Sequence, residues 1–188
     1  MQLFEFYHQD TYNPNRFVDT LDAPIGIENI TMYKPDGGLW ASPVEEDETI
    51  ERWPDWVKSA GLDGRFGKRL GHKMTFGLEE WTKLLVIDSY QDLVNIAQKY
   101  KLTKEMLKDL VDYETYTTIS RLSIVEKEKG MINWRAIAKD YDAVLATDKA
   151  VKESSACSCW HYSANLYAWD TASLVVFHKH VIHIISQE

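Results

Sequence analysis

Residues 34–43 read Lys-Pro-Asp-Gly-Gly-Leu-Trp-Ala-Ser-Pro, and no other run of the chain is as tightly constrained. Pro35 and Pro43 fix φ and remove backbone donors, which confines extended pairing to the few residues between them. Gly37 and Gly38 carry no Cβ and enter positive φ freely, so a tight turn directly precedes a short strand at 39–41. Two readings follow. One is a hairpin turn that drops Trp40 into the core; the other is a wall where backbone comes close to a ligand.

The 188 residues suffice for one domain with a substantial core and are short for two. Seven tryptophans and ten tyrosines are many for this length, enough to line a cleft as well as fill a core. A formal charge of −8 argues against a sequence-independent grip on nucleic acid, which needs lysine and arginine to neutralise phosphates. The dense basic run Lys68, Arg69, His72 and Lys73 reads as a solvated loop. Two cysteines one residue apart, and a start lacking a charged region followed by an apolar core, point to a reduced, cytoplasmic protein. No apolar run reaches the roughly 18 residues needed to cross a bilayer.

Along the chain, 3–9 alternates as an opening strand, with Phe4, Phe6 and His8 against Glu5 and Tyr7. A short helix is expected at most over 16–21. The acidic residues 45–48 read as a solvated loop or a first helical turn. Trp53, Trp56 and Val57 give a short helix with Pro54 in its first turn, ended by Gly61. Residues 61–71, with four glycines, read as an irregular loop, and 72–77 and 83–87 as strands. Asp88 or Ser89 caps a helix with Leu93, Ile96, Ala97 and Tyr100 on one face, and a second helix is expected over about 103–112. The span 113–123 is ambiguous. Asn133 caps a helix carrying Trp134, Ile137, Ala138 and Tyr141, which leads into a strand. Residues 148–158 read as a loop, and strands close the chain near 165–169, 173–177 and 181–185.

This order predicts an α+β fold: two small, mostly antiparallel sheets packed with peripheral helices, in a single domain 1–188 with a helical insertion at about 88–140. Trp53, Trp56, Trp81, Trp134 and Trp169 are expected in the core or covering the sheet, whereas Trp40, beside its glycines, faces an open surface.

Three places resemble the ADP-ribosyltransferase-like fold in the distant form found in phage and bacterial proteins. Phe6-Tyr7-His8 is similar to its opening strand. The run 37–42 is similar to its glycine, aromatic and small-residue strand. Tyr141-Asp142-Ala143-Val144 together with 169–177 are similar to its late strands. The resemblance covers both ends of the chain and leaves about 45–130 unaligned. It implies an NAD-dependent transfer of ADP-ribose to a macromolecular acceptor, protein slightly favoured over nucleic acid. NAD is then the substrate. The resemblance further implies that His8 holds a ribose, and that Tyr7, Gly37, Gly38, Leu39, Trp40, Ser42 and Tyr141 form the NAD site, with Gly38 anchoring the nicotinamide amide through its backbone. Asp170 takes the catalytic position where the family usually has glutamate. The alternative from another class is a non-catalytic protein of the same fold that binds a host protein or a nucleotide.

Other constellations are weaker. Cys157, Cys159 and His161 lack the pair spacing of a closed zinc site, and His178, His180 and His183 are explained by a terminal strand, so no metal is assigned. No nucleophile elbow, Walker loop or dinucleotide glycine run is present.

Overall fold

The computed structural model describes residues 2–26, 34–44, 52–121, 131–156, 166 and 169–188. The strands are β1 (Leu3–His8), β2 (Leu39–Pro43), β3 (His72–Leu78), β4 (Leu84–Ile87), β5 (Ala143–Ala146), β6 (Ser173–Val176) and β7 (Ile182–Gln187). They form one mixed sheet in the order β4-β5-β6-β2-β1-β3-β7. All pairings are antiparallel except β4 with β5. The fold is therefore α+β, but the two separate sheets expected from the sequence are joined. Strand β2 joins them: Leu39, Trp40 and Ala41 pair with β6, whereas Ser42 and Pro43 pair with β1. Pro43, which lacks an N–H, sits at the end of the strand where the ladder changes partner.

Alternation sorts each strand onto two cores. Phe4, Leu39, Ala41, Met74 and Phe76 meet Ala143, Leu145, Leu174 and Val176 inside the curl of the sheet. The opposite faces of β5 and β6, Val144, Ala146 and Val175, pack with helices. Those helices are α3 (Tyr90–Lys99), α6 (Trp134–Asp140) and α7 (Asp148–Ala156), preceded by α1 (Trp53–Ser59) and α2 (Asp63–Phe66) and interleaved with α4 (Lys104–Leu110) and α5 (Tyr113–Ser120). Parallel β4 and β5 need a long crossover, which accounts for α3 to α6 lying between them.

The expected caps are present. Ser89 accepts the N–H of Asp92, and Asn133 that of Ala136. The short helix expected at 16–21 is instead a 3₁₀ turn at Pro14–Arg16, started by Asn13. The loop expected over 61–71 holds α2 and a 3₁₀ turn at Gly67–Leu70. The loop expected over 148–158 is largely helix α7: Thr147 Oγ1 accepts the N–H of Ala150, and Lys152 pairs with Asp148 at 2.7 Å one turn away. The ambiguous span 113–123 begins as α5. The strand expected near 165–169 falls mostly outside the described residues, as do 45–48, Cys157, Cys159 and His161. Trp169, at its end, lies in a turn. Trp81 does not cover the sheet. It is 59% exposed and stacks on His180, with ring centres 5.4 Å apart. Among the described residues no helix is long and apolar enough to cross a membrane.

Candidate functional site

Strand parity builds the site. Glu5 and Tyr7 share one face of β1, Trp40 and Ser42 the same face of β2, and Glu5 stands opposite Ser42 in register. These four, with Lys34, Trp53, Trp169, Asp170 and Ser173, line a cleft of about 610 Å³, within the usual size of a small-molecule site.

At one end Trp40 meets Trp169 edge-on, with ring centres 4.9 Å apart, and Lys34 Nζ stands 5.0 Å from the Trp40 ring centre. Trp169 itself is 2% exposed, so the core fixes this wall. Asp170 follows it in a tight turn closed by the Thr171 N–H donating to the Trp169 carbonyl at 2.6 Å. Its φ of 58° is the one positive value on a non-glycine among the described residues. Aspartate tolerates the left-handed region better than most side chains, yet a turn of this kind is rare and strained. The buried Ser173 hydroxyl braces it by donating to the Thr171 carbonyl at 2.9 Å. With Trp169 and Thr171 buried on either side, Asp170 alone is turned outward, exposed to solvent within the cleft.

The surrounding walls still thin its hydration. Desolvation raises the Asp170 pKa, and the charge of Lys34 partly offsets this. Desolvation likewise lowers that of Lys34, with Asp170 opposing.

The other end is a polar knot. Glu5 is only 8% exposed. It accepts the Tyr7 hydroxyl at 2.5 Å and faces Arg52 at 3.5 Å and Lys73 at 3.7 Å. Burial, and then the hydrogen bond and charge of Glu5, push the Tyr7 phenol well above its usual pKa. Trp53 is positioned by its backbone N–H donating to Ser42 Oγ at 3.3 Å, and its ring lies 6.5 Å from that of Tyr7.

Tyr7, Trp40, Ser42 and Asp170 thus converge as expected. Other expected site residues are placed differently. The Gly38 N–H donates to the Val18 carbonyl at 2.8 Å, so it is not an open anchor for a ligand amide. A Cβ on Gly38 would stand 2.8 Å from the Val176 carbonyl, and one on Gly37 would stand 2.7 Å from that of Val18. The glycines serve the close approach of two backbones, although both border the cleft. Leu39 is buried in the inner core by alternation. His8 borders the cleft, but its ring alternates away from Tyr7 and stacks on Phe6, and its Nδ1 accepts the Asp10 N–H at 3.2 Å. Tyr141 ends α6 beside the helical core. There Phe177 bonds Asp142, at the opposite end of the β5–β6 ladder from Ser173 and Asp170.

Sequence reasoning missed Glu5, Lys34, Trp53 and Trp169 as cleft residues. The i, i+2 relation of Glu5 to Tyr7 was the available signal for the first. Of the terminal histidines, His178 and His180 stack with ring centres 5.7 Å apart, His178 also contacts the Ala138 carbonyl at 2.7 Å and His180 also stacks on Trp81, whereas His183 faces Glu79 at 3.6 Å. Among the described residues no group of three His, Cys, Asp or Glu is arranged to hold a metal.

Compared with protein-family models, curated proteins and solved structures, the chain matches none.

Proposed function

We propose that the cleft binds NAD and that the protein is an ADP-ribosyltransferase-like enzyme acting on a macromolecular acceptor, with protein slightly favoured. The observation that carries this reading is the outward, strained presentation of Asp170 beside Trp40 and Lys34, across a cleft from Tyr7. Breaking the nicotinamide glycosidic bond builds positive charge on the ribose, so a carboxylate held at that point stabilises the transition state more than the ground state. Aromatic walls suit the planar leaving group, and Lys34 suits a phosphate. The bond from ribose C1′ to the nicotinamide nitrogen breaks with its electrons passing to nicotinamide. The acceptor nucleophile bonds to C1′ and releases its proton to solvent.

A second reading is favoured by two observations. The acid is an aspartate, and the Gly38 N–H is already used by Val18. Under it the protein keeps the cleft as a nucleotide-binding or host-protein-binding surface without turnover. Incubation with labelled NAD and a cell lysate separates the two. The enzyme reading expects labelled acceptor and released nicotinamide, both lost in Asp170→Asn. NAD binding with no release in the parent protein supports the second reading.

A further inference from the structure

Behind the cleft lies a cavity of about 30 Å³ lined by residues including Thr20, Lys34, Asp36, Trp134 and Arg135. Among the described residues, the buried side-chain atoms lacking a hydrogen-bond partner include Thr20 Oγ1, Trp134 Nε1 and Arg135 Nε. All three belong to residues that line this one cavity. Thr20 is 0% exposed and Trp134 6%, so bulk water does not serve them. Buried polar groups without partners are rare in folded proteins, because each forfeits its hydration on folding. Three such atoms on residues that line one hollow call for a group that bridges them.

We infer that the cavity is a binding site for one ordered water. Its volume is ample for one water, which needs roughly 10–15 Å³ of such space. The chemistry selects water over an ion. Trp134 Nε1 and Arg135 Nε can only donate, so the occupant must accept two hydrogen bonds. Thr20 Oγ1 and the Asp36 carboxylate can accept, so the occupant should also donate. Water does both. A halide would meet the Lys34 and Arg135 cations but could not donate to the Asp36 carboxylate that shares the lining, and a metal cation would meet two N–H donors.

The site joins parts of the chain that are distant in sequence. Thr20 and Asp36 belong to segments around the glycine turn, Trp134 and Arg135 open α6, and Lys34 lines both this cavity and the cleft. The water is therefore a strut under the wall that carries Lys34 and Trp40, independent of what the cleft binds.

The test is a crystal structure of the full chain from bromide-containing solution, paired with NMR detection of magnetisation transfer from water to the Trp134 indole N–H, assigned by Trp134→Phe. The inference expects one water-sized density peak without anomalous signal within 3.5 Å of the three atoms. It also expects a long-lived water contact at that indole, and a melting temperature lowered by several degrees in Thr20→Val. An anomalous bromide peak, an empty cavity, or direct protein hydrogen bonds to the three atoms would overturn it. So would the absence of a long-lived water contact in folded protein.

Discussion

Lys34 Nζ stands 5.0 Å from the centre of the Trp40 ring, on the cleft wall that also carries Asp170. A cation held there acts on the acid. Desolvation by the cleft walls raises the Asp170 pKa and Lys34 draws it back. In Lys34→Met only the raising cause remains, so Asp170 protonates at higher pH than in the parent. The acid limb of a pH profile for nicotinamide release should move upward, and a carboxyl-carbon NMR titration should move with it.

The same shift has a consequence for folding. A carboxyl whose folded-state pKa is raised favours the fold below its unfolded pKa, and that contribution is lost as pH rises through the folded value. Asp170→Asn removes this dependence. Relative to the parent, the variant should be more stable at pH 7 than at pH 3, as read by denaturant midpoints at the two pH values.

Backbone strain separates the Asp170 variants. At φ 58°, asparagine keeps the tolerance of aspartate for the left-handed region, and glycine has no penalty there. Asp170→Val should destabilise the protein by about 1–2 kcal/mol relative to Asp170→Gly in urea unfolding.

The glycine turn makes a paired prediction. Gly61 has φ +66° with nothing within 4 Å of a built Cβ, whereas Gly38 has φ +70° and a carbonyl oxygen 2.8 Å away. Gly61→Ala should cost about 1 kcal/mol through conformation alone. Gly38→Ala should cost clearly more, and the excess measures the clash with Val176.

Glu5 is held by a hydroxyl and two cations; losing its charge weakens the Tyr7 hydrogen bond most, because Arg52 keeps Asp55 at 3.2 Å and Lys73 keeps Glu188 at 3.3 Å. Glu5→Gln should lower stability by about 1–3 kcal/mol. Tyr7 should then ionise at lower pH than in the parent, because the hydrogen bond and charge of Glu5 help to raise its pKa. Ultraviolet titration against Tyr7→Phe reads this directly.

Local rules made much of the fold legible. Ser89 and Asn133 announce their helices through caps, Gly61 ends α1, and the alternation of Glu5 and Tyr7 against Phe4 and Phe6 gives β1. Helix α7 escaped because Ser154 and Ser155 are weak helix formers, and its buried face of Ala150, Val151 and Ser154 is small and partly polar. The joined sheet escaped because β2 changes partner midway, which depends on contacts remote in sequence. At the site, Trp40 is singled out by its glycine neighbours and Asp170 by the resemblance of the closing strands, and both line the cleft. The side to which His8 turns follows from strand parity, and the use of the Gly38 N–H from where the segment at Val18 lies. The second is a tertiary fact that the local sequence does not contain.

The most direct measurement is release of nicotinamide from NAD by the purified protein in the presence of a cell lysate, for the parent and for Asp170→Asn at equal folded concentration. The account predicts release by the parent that falls by about 100-fold or more in the variant, the size of loss expected on removing a transition-state electrostatic partner. Equal release by the two proteins, or none from a parent that is fully folded, would contradict it.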